Sequence, residues 1–169
     1  MKARKPKAQV VVGVDPDVDK NGVAYLDMTG QETELRLGAL AFPNLIDFLR
    51  ATNYNCEQAE KQFFVVVEAG WLNRSNWHVN SRDSKAVIAA KGTAAGRNHE
   101  VGRKIAEMCR YYAIPVDLMK PLAKIWKGNE RKITAQELKT ITGYTARTNQ
   151  EMRDAALLAW TWAGLPIKL

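Results

Sequence analysis

The chain has 169 residues, 46% of them apolar and 25% charged, which predicts one globular domain that buries its own core. Its longest strongly apolar runs, Val10–Val12 and Phe63–Val67, are too short to span a bilayer. A short basic arm stands where a signal peptide would place its apolar segment. We therefore expect a cytoplasmic protein with no membrane association. Cys56 and Cys109 lie in no ligand motif and are expected to be reduced thiols.

The net charge of +7 favours a polyanionic partner, since Lys and Arg gain affinity by releasing counterions from phosphates. Residues 1–8 are predicted to form a basic arm, and residues 9–169 a single domain. A second basic cluster lies late in the domain. It comprises Lys120, Lys124, Lys127, Arg131, Lys132, Lys139 and Arg147.

The domain is predicted to open with a three-stranded meander. Apolar β-branched residues indicate strands over Gln9–Val14 and Gly22–Asp27, and Asp-Pro and Asn-Gly pairs mark the turn between them. Alternating residues indicate a third strand over Glu34–Ala41. Pro43 then starts a predicted helix over Asn44–Ala51.

The rest of the domain is predicted to alternate strands and helices. Phe63–Val67 has the continuous apolar character of a strand buried on both faces. Thr134 and Glu137 form a predicted capping box, and Gly143 closes that helix. The remaining predicted elements are a polar loop over Trp71–Thr93, a long amphipathic helix over Gly96–Tyr112, a strand over Ile114–Leu118, a short helix over Thr134–Thr142 and a final helix from about Asn149 to Ala163.

This element order predicts an α/β fold built on a five-stranded mixed sheet. The first three strands form an antiparallel meander, and strands four and five are added in parallel by helical crossovers. Helices flank the sheet.

Four carboxylates stand at the ends of predicted core elements. Asp15 ends the first strand, Glu68 ends the buried strand, and Glu151 and Asp154 open the last helix on one face. If the first and fourth strands are neighbours, these acids meet, and they could not all stay ionised there without a cation. Oxygen ligands favour Mg²⁺ or Mn²⁺, and two such ions can hydrolyse a phosphodiester.

Each acid also has a structural interpretation. Asp15 precedes Pro16 and could simply start a turn, and Glu68 could be a solvated residue at a strand end. Glu151 could form a capping box with Thr148. Asp154 could be a first-turn carboxylate that the helix dipole stabilises. An EF-hand beginning at Asp15 is excluded, since its sixth and twelfth positions are Lys and Leu.

Three motifs resemble those of RuvC-type Holliday-junction resolvases, which belong to the RNase H-like nuclease superfamily. They are the run from Val12 to Asp17 continuing to Ala24, the apolar strand ending in Glu68, and the segment from Glu151 to Ala155. Their order and spacing match from about Gln9 to Gly164. The resemblance implies an RNase H-like fold and a homodimer that nicks four-way DNA junctions symmetrically with Mg²⁺ or Mn²⁺, serving DNA recombination and repair.

The resemblance also assigns site residues. Asp15, Glu68, Glu151 and Asp154 fall on the four metal-binding positions, and Lys132 would be a fifth catalytic residue. Trp71 matches an aromatic residue that wedges into the junction, although a core or interface tryptophan is equally plausible. The helix over Gly96–Tyr112 corresponds to the dimerisation helix. The predicted DNA contacts are Trp71, Arg74, Lys124, Lys127, Arg131 and Lys132.

The sequence departs from the family in ways that indicate a divergent member, expected in the cytoplasm of a bacterial cell or, if a phage encodes it, of the infected host. Asp17 stands where the family usually has Gly, Glu151 stands where bacterial members have Asp or His, and the segment between Lys124 and Lys132 is short and lacks repeated glycines.

The leading hypothesis is a Mg²⁺-dependent endonuclease acting on branched DNA, with no small-molecule substrate. An RNase H-like or RNA-processing nuclease of the same fold is the alternative. An actin- or sugar-kinase-like nucleotide-binding domain is disfavoured because the fold is not duplicated and glycine-rich phosphate loops are missing. An inactive nucleic-acid-binding module is disfavoured because it gains nothing from acids facing phosphates.

Overall fold

The structure of the protein is a computed structural model that describes residues 8–73 and 80–169. Arg74, a predicted DNA contact, lies outside the described residues. The strands are β1 (Val10–Asp15), β2 (Asn21–Asp27), β3 (Glu34–Leu40), β4 (Phe63–Glu68) and β5 (Val116–Met119). The helices are α1 (Phe42–Gln58), α2 (Lys85–Tyr111), α3 (Ala135–Thr142) and α4 (Gln150–Trp162).

The strands form one mixed sheet in the order β3-β2-β1-β4-β5. Neighbours β1–β2 and β2–β3 are antiparallel, whereas β1–β4 and β4–β5 are parallel. The fold class predicted from the sequence is confirmed. In the parallel register Val14 pairs with Val67, so Asp15 and Glu68 end adjacent strands at the same edge of the sheet.

The two faces of the sheet carry different helices because β1 alternates its valines between them. Val11 faces a core cluster built mainly with α4, and Val10, Val12 and Val14 face a cluster built with α1 and α2. All four valines are 0% exposed, and full burial of such a side chain stabilises the fold by about 1.5–3 kcal/mol. The central strand is therefore fixed from both sides.

Helix α4 lies unusually close to β1 and β2. A Cβ atom on Gly13 would stand 2.5 Å from the carbonyl oxygen of Ala155 and 2.9 Å from Cβ of Ala159. A Cβ atom on Gly22 would collide with the backbone of Glu151. These two glycines thus let the backbone of α4 rest directly on the sheet, next to the end of β1.

Two helices are longer than the sequence predicts. Helix α1 ends at Gln58 rather than Ala51 because Thr52 and Cys56 continue its buried stripe. Helix α2 begins at Lys85 rather than Gly96, so the predicted loop over 71–93 is too long; Ser84 caps α2 by accepting from the Val87 N–H. Among the described residues, no helix is both long and apolar enough to cross a membrane.

The two outer strands of the sheet have features that disfavour pairing with a further strand. Strand β3 alternates half-buried Leu35 and Leu37 with exposed Glu34 and Arg36, and those two charges pair at 2.8 Å. Strand β5 at the other edge has only four residues. Short or charged edges are unfavourable templates for a further strand.

Substituting Gly13 tests the close seating of α4. We expect Gly13→Ala to lower the free energy of unfolding by about 1–3 kcal/mol, because the new methyl group has no space beside Ala155. Urea unfolding followed by circular dichroism measures this. The control is Gly38→Ala in β3, where a Cβ atom meets nothing within 4 Å; it should change stability by less than about 0.5 kcal/mol. Equal effects of the two variants would contradict the seating argument.

Candidate active site

The four acids predicted from the sequence converge where the carboxyl ends of the central strands β1 and β4 lie side by side. Two adjoining cavities of about 270 and 310 Å³ open there, the first lined by Asp154 and the second by Glu151. Both cavities share Asp15, Glu68, His99, Lys124 and Lys132. Three separate elements, β1, β4 and α4, therefore supply carboxylates to a single open site.

Burial and neighbouring carboxylates disfavour the ionised form of Asp15. Burial raises its pKa well above the ordinary value, and the neighbouring charges of Glu68 and Asp154 raise the pKa further. Lys132 acts in the opposite direction, and Glu151 adds a smaller repulsion. Burial likewise raises the pKa of Glu68, with Asp154 adding to the shift. The fold thus holds these acids together at an electrostatic cost.

Lys132 is the cation that most directly offsets this charge. Its Nζ lies 3.3 Å from Oδ2 of Asp154, and both side chains are largely buried. Burial acts to lower the pKa of Lys132, but Asp154 and Asp15 outweigh it and the pKa is raised. Lys132 is therefore charged at neutral pH and sits among the acids.

An irregular segment, Trp126–Ile133, presents Lys132; we call it the lysine loop. Buried Trp126 and Ile133 anchor its two ends. The N–H of Trp126 donates to the carbonyl of Arg131, and the N–H of Gly128 donates to the carbonyl of Lys132. At its tip Glu130 and Arg131 adopt left-handed backbone angles, with φ of 54° and 58°, which non-glycine residues adopt at a cost.

Glu137 of α3 ties the base of the lysine loop. Its carboxylate accepts from the backbone N–H of Lys127 at 3.2 Å and from the N–H and hydroxyl of Thr134 at 3.0 and 2.9 Å. The predicted capping box is confirmed, and Gly143 closes α3 in the left-handed conformation as predicted. Burial acts to raise the pKa of Glu137, but these hydrogen bonds outweigh it and lower the pKa.

The structural interpretations of the two helix acids do not hold. The N-cap of α4 is Asn149, whose side chain accepts from the Met152 N–H, so Thr148 does not form the capping box with Glu151. The hydroxyl of Thr148 accepts instead from Arg153. Asp154 lies beyond the first turn of α4, in which the acid is Glu151.

Asp154 is oriented by polar neighbours on its own helix. The Gln150 amide donates to Oδ1 of Asp154 at 2.8 Å and to the carbonyl of Ile133 at 3.3 Å. Arg153 donates through Nη2 to the side-chain oxygen Oε1 of Gln150 at 2.8 Å, and through Nε to the same backbone carbonyl of Ile133 at 3.1 Å. Both oxygens of Asp154 thus have defined partners, Gln150 on one side and Lys132 on the other.

The turn after β1 is fixed by hydrogen bonds to the side chain of Asn21. This side chain is 0% exposed; it accepts from the Asp17 N–H and donates to the carbonyl of Leu40. The carboxylate of Asp17 accepts from the Asp19 N–H at 2.9 Å and lies 3.5 Å from the amide of Asn98 on α2. Asp17, the residue that departs from the family pattern, therefore joins this turn to α2.

Trp71 packs beneath α2. Its ring would contact a Cβ atom on Gly102 at 2.6 Å, and it meets the His99 ring edge-on at 6.3 Å. The Arg103 guanidinium lies 5.5 Å from the Trp71 ring centre. Trp71 still lines the second cavity. It packs against the core cluster built with α1 and α2, and its insertion into a junction stays a prediction.

The other four described DNA contacts predicted from the sequence fall into two pairs. Lys124 and Lys132 line both cavities. Lys127 and Arg131 are exposed and line neither. The structure therefore brings two of the predicted basic residues to the acids and leaves two at the surface nearby.

Sequence reasoning missed four residues of the site: Asn98, His99, Gln150 and Arg153. Asn98 and His99 lie on α2 and line the site because of the direction in which this helix runs. A single Asn-His pair in the sequence gives no local sign of that direction. Burial and the charge of Arg103 lower the pKa of His99. Gln150 could have been found, because it stands four residues before Asp154 and such residues meet on a helix.

The donor chemistry of the site fits a hard divalent cation. Its carboxylates are oxygen ligands, and their crowding at Asp15 is the kind of repulsion that a cation relieves. As the side chains lie, however, no three His, Cys, Asp or Glu residues within 8–73 and 80–169 form a group that could hold a metal ion.

Comparisons with known proteins give structural neighbours only. No family model matches the sequence and no curated protein is similar to it. The solved structures similar to this chain include T. thermophilus RuvC with a Holliday-junction substrate, at 16% identity and a TM-score of 0.47 over 90% of this chain and 91% of that chain. Fowlpox virus resolvase with Holliday-junction DNA is 13% identical, with a TM-score of 0.46 over 92% of this chain and 97% of that chain. The yeast mitochondrial Holliday-junction resolvase Ydc2 is 10% identical, with a TM-score of 0.37 over 94% and 80%.

All three are Holliday-junction resolvases. At these identities the similarity concerns the fold alone.

The raised pKa of Asp15 predicts a pH dependence of stability. The unfolded value is near 4, so between that pH and the higher folded-state pKa the folded protein binds more protons than the unfolded chain, and its stability falls as the pH rises. Asp15→Asn removes this effect. Without divalent metal near neutral pH, we expect it to raise the free energy of unfolding by about 0.5–2 kcal/mol.

Urea unfolding across a pH series measures this, and the decline in stability with rising pH should become shallower in Asp15→Asn. The control is Asp19→Asn, an exposed acid in the following turn. The same gain in both variants would show that the effect is a general one of net charge.

Proposed function

We propose that this protein is a metal-dependent endonuclease that resolves four-way DNA junctions by paired nicks, acting as a homodimer. One observation carries the proposal: carboxylates from β1, β4 and α4 meet in one open site with a lysine among them. Such a site combines ligands for a cation with a fixed positive charge for a phosphate. Each of these stabilises charge that develops during phosphodiester cleavage.

Asp15, Glu68, Glu151 and Asp154 would hold Mg²⁺, for which Mn²⁺ could substitute. Bound there, the metal would activate water and stabilise the leaving oxygen. Binding would draw the carboxylates closer together than they lie here and would relieve the repulsion that raises the pKa of Asp15. On this proposal the unfavourable crowding of the acids is the source of metal affinity.

Lys132 and Lys124 would act on the phosphate. Both line the two cavities, and Lys132 would stabilise the negative charge that develops on the phosphate oxygens during attack. Its ion pair with Asp154 keeps the ammonium in the site before substrate arrives. Lys124 would help to place the nucleic-acid backbone, and exposed Lys127 and Arg131 would add contacts outside the site.

The substrate proposed is branched DNA, and this choice comes from the motifs that resemble RuvC-type resolvases. The net charge of +7 suits any polyanion, so it supports nucleic acid without selecting DNA. An RNase H-like or RNA-processing nuclease would use the same acids. Direct comparison of substrates is therefore part of the test.

Cleavage assays with Asp15→Asn test the chemistry. We expect the wild-type protein with Mg²⁺ to nick a synthetic four-way junction. Asp15→Asn should lower the rate by at least about 1,000-fold, the scale on which electrostatic groups of an active site act, while junction binding in a gel-shift assay is retained. Asp47→Asn on the exposed face of α1 is the matched control and should cleave at the wild-type rate.

Linear duplex, an RNA–DNA hybrid and structured RNA complete the substrate panel. Preference for the hybrid or for structured RNA would replace junction resolution by the alternative activity. Wild-type cleavage by Asp15→Asn would show that the acids are not the catalytic centre.

Dimerisation gives a separate prediction. A homodimer should double the mass found for one chain by light scattering, and its two nicks should fall at symmetric positions on the junction. A single chain in solution that makes only one nick per junction would contradict this part of the proposal and leave the nuclease assignment standing.

A further inference from the structure

Asp154 and the lysine loop are joined by hydrogen bonds that meet at one backbone atom. The carbonyl oxygen of Ile133, next to Lys132, accepts from the amide of Gln150 at 3.3 Å and from Nε of Arg153 at 3.1 Å. The same Gln150 amide donates to Oδ1 of Asp154 at 2.8 Å. One side chain thus contacts both the acid and the segment that presents its partner lysine.

The direction of the Gln150 amide is fixed by Arg153. Nη2 of Arg153 donates to the side-chain oxygen Oε1 of Gln150 at 2.8 Å, which leaves Nε2 of the amide facing Asp154 and Ile133. Arg153 is itself held, since its Nη1 donates to the carbonyl and hydroxyl oxygens of Thr148 at 3.2 and 3.0 Å. The reverse orientation of the amide would place two oxygens together at Asp154.

The lysine loop depends on such a tie because a single 3₁₀ turn, Asn129–Arg131, is the regular structure within it. Its own bonds join Gly128 to Lys132 and Trp126 to Arg131, and its tip adopts left-handed angles at two non-glycine residues. Glu137 fastens the base of the loop to α3. Of Glu137 and Gln150, it is Gln150 that also donates to a carboxylate of the site.

We infer that Gln150, locked by Arg153, is a positioning residue that holds Lys132 and Asp154 in a fixed mutual geometry. Its amide aims Oδ1 of Asp154 away from the lysine and leaves Oδ2 for the contact at 3.3 Å with Lys132. It also stops the lysine loop from moving relative to α4. The catalytic consequence rests on the proposed nuclease function; the mechanical consequence does not.

Two variants and one control separate these consequences. Gln150→Leu removes the amide at similar size. Gln150→Glu keeps an oxygen for Arg153 but replaces the donating nitrogen by a second oxygen that faces Asp154. The control, Asp27→Asn, weakens the ion pair with Lys61 and the bonds from Thr29 at the other end of β2. It tests whether lost stability alone produces the effects.

Amide hydrogen exchange on the metal-free protein is the first measurement. Both Gln150 variants should speed exchange at the Gly128 and Lys132 amides by about fivefold or more, because these amides are protected by bonds within the lysine loop and local opening sets their rate. Asp27→Asn should leave them within about twofold of the wild type. Unchanged exchange at both amides in both Gln150 variants would overturn the inference.

Junction cleavage with Mg²⁺ is the second measurement. Each Gln150 variant should lower kcat by about tenfold or more with KM within about twofold, since a misplaced catalytic group affects the transition state more than substrate binding. Faster exchange with an unchanged kcat would overturn the positioning role. If the wild-type protein cleaves none of the nucleic acids, the proposed function fails, and the exchange comparison still decides whether Gln150 holds the lysine loop.

Discussion

Helix α4 can rest on strands β1 and β2 only because Gly13 and Gly22 present no side chain to it. The consequence is a matter of position. Backbone contact at these two points brings Glu151 and Asp154 to the end of β1, where Asp15 stands, and the parallel pairing of β1 with β4 brings Glu68 beside them. The acids are thus gathered at the end of tightly packed strands, and the buried core on both faces of the sheet sustains their mutual repulsion.

The cations of the site are held differently. Lys132 belongs to a loop that contains only a short 3₁₀ turn. Buried Trp126 and Ile133 fix its ends, and side chains of α3 and α4 bind it from outside. In the proposed reaction, the sheet and α4 would fix the positions of the acids that hold the metal. The loop would supply the positive charge of Lys132. Local opening is expected to be easier in the loop than in the strands, because the loop relies on a few polar contacts.

The sheet and the acids could be predicted from the sequence, whereas the helices and the supporting residues could be predicted only in part. Apolar runs gave β1 and β4, and an acid at the end of each is visible without a structure. The first part of α2 was missed because residues 85–95 lack an apolar stripe, although the high helix propensity of their alanines was a usable signal. His99 and Arg153 act through neighbours that are remote in sequence or that depend on side-chain direction, and no local pattern reveals this.

The paired charges on β3 have a consequence for how the protein behaves at high concentration. A flat outer strand offers unpaired N–H and C=O groups to any other chain, and half-buried Leu35 and Leu37 would make such pairing favourable. Glu34 and Arg36, facing solvent between them, would have to lose water before a second strand could dock. Together with the four-residue length of β5, this charge pattern disfavours edge-to-edge pairing between copies of the protein, and we expect its associations to use other surfaces.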